Sequence, residues 1–244
     1  MNETLAPPAT TRPSGWRLLF MLICSYFGAQ AVAALALLLM VGFPSSLAGL
    51  RAVSGLVHSG RQVAITSSLG EIAIFAIAWL FMHRRMTVRA AGLDRPRLSY
   101  LGDGIALFLF VMLASIVFGL LLRTGDVRSQ LAVAQDLHGW WEGPLIAVSA
   151  GFAEEVTFRG YLFTGLRRMW PNATWLAVLL SSIGFALAHV AWGLQPLQFV
   201  FYVVLGVLLA VGVLRTRSVW PAIVAHAGWD ALAFVLLMAK AKGI

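Results

Sequence analysis

Six ionisable side chains stand inside stretches of this sequence that are otherwise apolar: Glu154, Glu155, Arg159, His189, His226 and Asp230. Ionisable groups at membrane depth cost about 2.5–3.5 kcal/mol each by insertion scales, and they persist where they face a cavity or a partner. Their spacing is informative. Glu155 and Arg159 are four apart, so on a helix they share a face and can pair. Glu154 is rotated by about 100° from Glu155 on the same helix, which leaves it free to face a cavity. Two carboxyls in such different settings divide into acid and base roles. Ser181, Phe185 and His189 recur every four residues on one face. His226 and Asp230 are again four apart, with the small Ala227 and Gly228 between them allowing close helix approach. A base within reach of a water, and donors aimed at a developing oxyanion, are what amide hydrolysis requires. A structural ion pair would account for Glu155 and Arg159 but leaves Glu154 without a reason. Glu71 lies apart from this group, in an earlier apolar stretch.

The elements that carry these residues are membrane helices. The chain has 244 residues, 60% hydrophobic and only 11% charged. A soluble domain is about 25% charged, so water cannot be the main solvent of this surface. The spacing of apolar runs predicts an all-α, polytopic transmembrane bundle of about seven spans. These are Arg17–Phe43, Gln62–His83, Tyr100–Leu122, Glu142–Arg168, Thr174–Val190, Leu197–Leu214 and Val219–Met238. Trp16, Trp140, Trp141, Trp170, Trp175, Trp192 and Trp220 fall at their ends, where amphipathic rings settle; Trp79 and Trp229 lie deeper. The first run continues through Ala34–Met40, longer than the apolar region of a cleaved leader.

The net charge of +8 arises from basic residues at the ends of these runs, not from a stripe on a folded face, so nucleic acid is not an expected partner. The loop bearing Arg84, Arg85, Arg89, Arg95 and Arg97 is the most basic and is assigned to the cytoplasm. Alternation then puts Arg12, Arg17, Arg167, Arg168, Arg215 and Arg217 inside as well. Arg51, Arg61, Arg123, Arg128, Lys240 and Lys242 fall outside. The expectation is a multi-pass protein of the cell membrane with a cytoplasmic N-terminus. Residues 1–16 read as a disordered tail, 17–97 as N-terminal membrane helices with the basic loop, and 98–240 as the core, its motifs within 140–238. Cys24, the single cysteine, has no partner for a disulfide.

The ordered set Glu154-Glu155-x-x-x-Arg159, Phe185-x-x-x-His189 and His226-x-x-x-Asp230 resembles the CPBP family. These are CAAX-protease and bacteriocin-processing intramembrane proteases, also called Abi or Rce1-like. The resemblance implies a helical bundle whose motif residues converge on a cavity open to the membrane, and an endopeptidase acting on a membrane-associated protein or peptide. Carried over, Glu154 is the general base, His189 holds and activates the water, and His226 and Asp230 stabilise the oxyanion. Glu155, Arg159 and Phe185 support the site. The eukaryotic enzymes have Asn where this chain has Asp230, and an ionised Asp only accepts hydrogen bonds. The resemblance also admits a zinc-dependent variant with Glu154, His189, His226 and Asp230 as ligands, although the helical His-Glu-x-x-His signature is absent. The metal-free mechanism is the expected one, with membrane lipid and the substrate as partners. The rival readings are a non-catalytic scaffold or immunity protein of the same fold and, without any visible repeat to support it, a proton-coupled transporter.

Overall fold

Long apolar segments in lipid satisfy their backbone polar groups internally, which makes each one a helix. A computed structural model of the chain describes residues 14–41, 60–84, 86–122, 141–189 and 196–242. Arg12, Arg51, Arg85, Arg123, Arg128, Trp140 and Trp192 of the sequence reading, and most of the tail, lie outside them. The described residues form seven helices and no strand. They are α1 (Gly15–Val41), α2 (Gly60–Met82), α3 (Leu98–Leu122), α4 (142–169), α5 (Thr174–Ala188), α6 (Pro196–Thr216) and α7 (Trp220–Lys242). Pro196 opens α6 and Pro221 stands in the first turn of α7, where a missing N–H costs nothing.

α4 departs from the straight helix expected over Glu142–Arg168. It is α-helical over Glu142–Glu155, π-helical over Val156–Phe163 and α-helical again over Thr164–Met169. The Thr164 hydroxyl donates to the Arg159 carbonyl five residues back, at 3.2 Å. Wide i→i+5 turns of this kind are rare and concentrate at functional sites.

Five helices, α1, α2, α3, α6 and α7, are long and apolar enough to cross a membrane. The other two of the seven expected spans are the ones that carry chemistry. α4 holds too many charges to qualify by apolarity. α5, with 15 residues, rises only about 22 Å, short of a hydrocarbon core of about 30 Å.

α4 occupies the centre, against α2 and α7, with its π segment reaching α5 and α6. Ala153–Phe163 is buried throughout, as expected of a helix enclosed by others. α1 packs on α2, α3 on α6 and α7, and α5 on α6. The outward faces carry Leu19, Phe20, Phe27 and Leu39 on α1, and Leu109, Phe110, Leu113 and Leu120 on α3, all exposed. So large an apolar exterior is a lipid-facing surface. Trp229, deep in α7, is explained by its indole N–H donating to Ser115 of α3 at 2.8 Å.

A polar clamp sets the entry of α7. The Tyr100 hydroxyl donates to Asp94 Oδ2 at 2.6 Å, and the Ser218 hydroxyl to Asp94 Oδ1 at 2.8 Å. The Trp220 indole donates to the Asp94 carbonyl at 2.7 Å, and the Val219 amide to the Gly92 carbonyl at 2.9 Å. Partial burial works to raise the Asp94 carboxyl, but the hydrogen bonds from Tyr100 and Ser218 outweigh it and hold the group below its ordinary range.

Candidate active site

Arg159 is the organising cation. A guanidinium this deep requires neutralisation and donors satisfied in fixed directions. Its Nη1 donates to Glu155 Oε1 at 2.8 Å, with both side chains fully buried, and its Nη2 donates to the Gly206 carbonyl of α6 at 3.3 Å. Its guanidinium carbon lies 4.2 Å from the centroid of the Phe185 ring of α5. One residue of α4 thereby ties α5 and α6 together. Glu155 is the last residue before the π segment, so the expected pairing over four residues forms at that junction.

Glu155 Oε1 also accepts from His226 Nδ1 at 2.9 Å. Because that oxygen is an acceptor, the proton sits on Nδ1, and Nε2 faces Asp230 Oδ2 at 3.6 Å. The contact demands that α4 and α7 approach closely. Gly151, one turn before Glu155, supplies the space: a Cβ there would lie 2.8 Å from the Ala227 amide nitrogen. Gly206 does the same between α6 and α5, where a Cβ would lie 2.8 Å from the Ser182 Cβ.

His189 caps the C-terminus of α5 and is held the same way. Its Nδ1 donates to the Phe185 carbonyl at 2.9 Å, and its Nε2 faces Glu154 Oε2 at 3.7 Å. Both imidazoles therefore have Nδ1 engaged and Nε2 turned to a carboxylate. The 3.7 Å gap is too long for a direct hydrogen bond. Glu154 is 8% exposed and its Oε2 has no hydrogen-bond donor, which is costly unless something supplies one.

All seven residues singled out in the sequence, Glu154, Glu155, Arg159, Phe185, His189, His226 and Asp230, come together here. Phe185 is their apolar hub, touching the rings of both His189 and His226. The hydroxyls of Ser181 and Ser182 are engaged elsewhere, both donating to the Val178 carbonyl of their own helix at 3.0 and 2.7 Å. Neither is presented to a histidine as a nucleophile. Among the described residues no group of three His, Cys, Asp or Glu side chains that could hold a metal ion is found.

Three participants escaped the sequence reading. Tyr202 of α6 stacks on His189 with centroids 4.3 Å apart. Gly151 and Gly206 allow the contacts above. Tyr202 is one aromatic among many in an apolar helix, and the glycines matter only through helices distant in sequence, so no local signal marks them. The chain yields no match to a curated protein or to a solved structure. Residues 136–232, which span α4 to the site turn of α7, match the family described as type II CAAX prenyl endopeptidase Rce1-like. This stretch of the chain is similar to the Rce1-like domain of the CAAX endopeptidase family.

Proposed function

We propose that this protein is an intramembrane endopeptidase that hydrolyses a peptide bond of a membrane-associated protein or peptide. The observation that carries the reading is the opposed pair of carboxylate–imidazole contacts, Glu154 with His189 and Asp230 with His226, inside a stretch similar to a family of endopeptidases. A water held by Glu154 and His189 loses a proton to Glu154 as its oxygen attacks the scissile carbonyl. His226 Nε2 and Asp230 Oδ2 stand 3.6 Å apart, and a proton carried by this pair is the donor to the oxyanion of the tetrahedral intermediate. Collapse breaks the C–N bond, and the proton on Glu154 passes to the leaving amine. Glu155 orients His226 through Nδ1, Arg159 neutralises Glu155, and Phe185 packs both imidazoles into place.

Every step of this reading uses a side chain of this protein. Asp230 serves the oxyanion as a proton-sharing partner, which reconciles it with Asn at this place in the eukaryotic enzymes. The distribution of basic residues supports a cytoplasmic N-terminus. The test is cleavage of a membrane-peptide library by purified protein beside its Glu154→Gln variant. Cleavage lost in the variant supports the mechanism. Cleavage at an undiminished rate in Glu154→Gln would sink it, and folded protein that cuts nothing would favour a scaffold or immunity role for the same fold.

A further inference from the structure

Glu71 lies on α2, outside the Rce1-like domain of residues 136–232. Ser68, Glu71 and Phe75 are spaced three and four apart and so share one helix face. Ser68 and Phe75 fix where that face points. The Ser149 hydroxyl of α4 donates to Ser68 Oγ at 3.1 Å, and the Phe75 ring meets Phe152 of α4 edge-on at 5.4 Å. Glu71 therefore faces α4 between these contacts. Its carboxyl is within electrostatic reach of Glu154, His226 and Asp230. Its Oε2 is buried and has no hydrogen-bond partner.

The acids around this site outnumber the basic groups. The acids are Glu71 from α2, Glu154 and Glu155 from α4, and Asp230 from α7. The basic groups are Arg159 from α4, His189 from α5 and His226 from α7. Arg159 is consumed by Glu155, His226 lies between Glu155 and Asp230, and His189 faces Glu154. Even with both imidazoles charged, Glu71 is left over. A second observation points the same way: Glu154, 8% exposed, also presents a buried Oε2 without a donor. With Glu155 Oε2, which is likewise buried without a partner, three orphan carboxylate oxygens from two helices gather at this site. Buried carboxylates are retained when a cation meets them, and a basic side chain in an apolar substrate segment needs an acid for the same reason.

We propose that Glu71 is a specificity-determining residue that receives a Lys or Arg side chain of the substrate close to the scissile bond. This rests on the endopeptidase reading for its location and extends it to a substrate class, apolar membrane segments interrupted by a basic residue. The Rce1-like domain then supplies the chemistry, and the N-terminal helices supply part of the choice of substrate.

The experiment uses the full chain in lipid discs, with Glu154→Gln present so that bound peptide stays intact. Two single-span peptides are titrated, one with a Lys in its apolar segment and one with norleucine at the same place. The Lys peptide is expected to bind at least 10-fold more tightly. Adding Glu71→Gln, a neutral isostere, removes the preference, and Glu71→Asp keeps part of it. Equal binding of the two peptides, or a preference that survives Glu71→Gln, overturns the proposal. Should Glu71→Gln fail to fold, the comparison of the two peptides and the Glu71→Asp variant decide the matter. Cleavage by the chain with Glu154 intact is scored separately. Glu71-dependent binding without cleavage would refute the endopeptidase reading and leave the cation site standing. Equal cleavage of both peptides would do the reverse.

Discussion

At the scale of single residues, the site divides into groups with a proposed part in the chemistry and groups that hold them. Glu154 is the proposed base, so Glu154→Gln is expected to lower the cleavage rate by at least about 100-fold, the usual range for loss of a general base. Its thermal midpoint in detergent should change little, because no hydrogen bond of Glu154 Oε2 is lost. Arg159 behaves in the opposite way. Arg159→Ala strands Glu155 as an uncompensated buried charge, which costs about 3–5 kcal/mol of stability. Arg159→Lys should not restore it, since one ammonium cannot span Glu155 and the Gly206 carbonyl as the planar fork does. Thermal unfolding of the two variants side by side checks this, and a wild-type midpoint in Arg159→Lys would refute the fork argument. Asp230→Asn should keep most of the activity, because an amide can still donate to an oxyanion. Under zinc ligation the same variant would lose metal and activity together, so metal analysis alongside the assay separates the routes. Activity of the unsubstituted protein is expected to survive dialysis against a chelator.

At the scale of elements, close helix approach sets the geometry. The α4–α7 contact at Gly151 and Ala227 brings Glu155 within reach of His226. Gly151→Leu should push these helices apart and abolish cleavage through a lost Glu155–His226 contact, while the seven helices remain. Circular dichroism beside the cleavage assay tests this, and retained activity would show that α4 and α7 can part without harm to the site. The Asp94 clamp governs the start of α7. Because the folded-state carboxyl is held below its ordinary range, the clamp's contribution is fully present above the unfolded pKa of about 3.9. It fades as pH falls through the lower folded value. Asp94→Asn is therefore expected to cost about 1–2 kcal/mol near neutral pH, with the gap from wild type closing at acid pH. Midpoints measured from pH 7 to pH 3 would contradict this if the gap stayed constant.

At the scale of the whole molecule, five helices long and apolar enough to cross a membrane accompany a charged α4 and a short α5 among the described residues. The bundle can keep a guanidinium and several carboxyls among apolar helices because these side chains are turned toward other helices, as the burial of Glu154, Glu155 and Arg159 shows. The proposed topology, with the basic loop around Arg89 inside, is checked by single cysteines in a cysteine-free background. Positions beside Arg89 and Arg167 should be shielded from an impermeant thiol reagent in intact cells, and positions near Lys240 labelled. Labelling at Arg89 would invert the orientation.

Composition and apolar run length alone determined a helical membrane protein, because a chain with 11% charged residues cannot present a water-facing surface. Seven helices and most of their ends were legible for the same reason. The candidate site was legible as well. Glu154, Glu155, Arg159, His189, His226 and Asp230 stand out against apolar surroundings, and spacing over four residues displays each pair on one face. Only the tertiary structure decided which helix meets which. The joining of Glu155 to His226, of Arg159 to Gly206 and of Tyr202 to His189 spans chain separations that no local periodicity encodes. It also decided the π segment of α4. The turns of Val156–Phe163 widen among neighbours on several sides, and an amphipathic pattern is read from a helix with one apolar side and one polar side. Glu71 shows both limits. The sequence displayed it as a charge out of place, and the packing of α2 against α4 turned it toward α4.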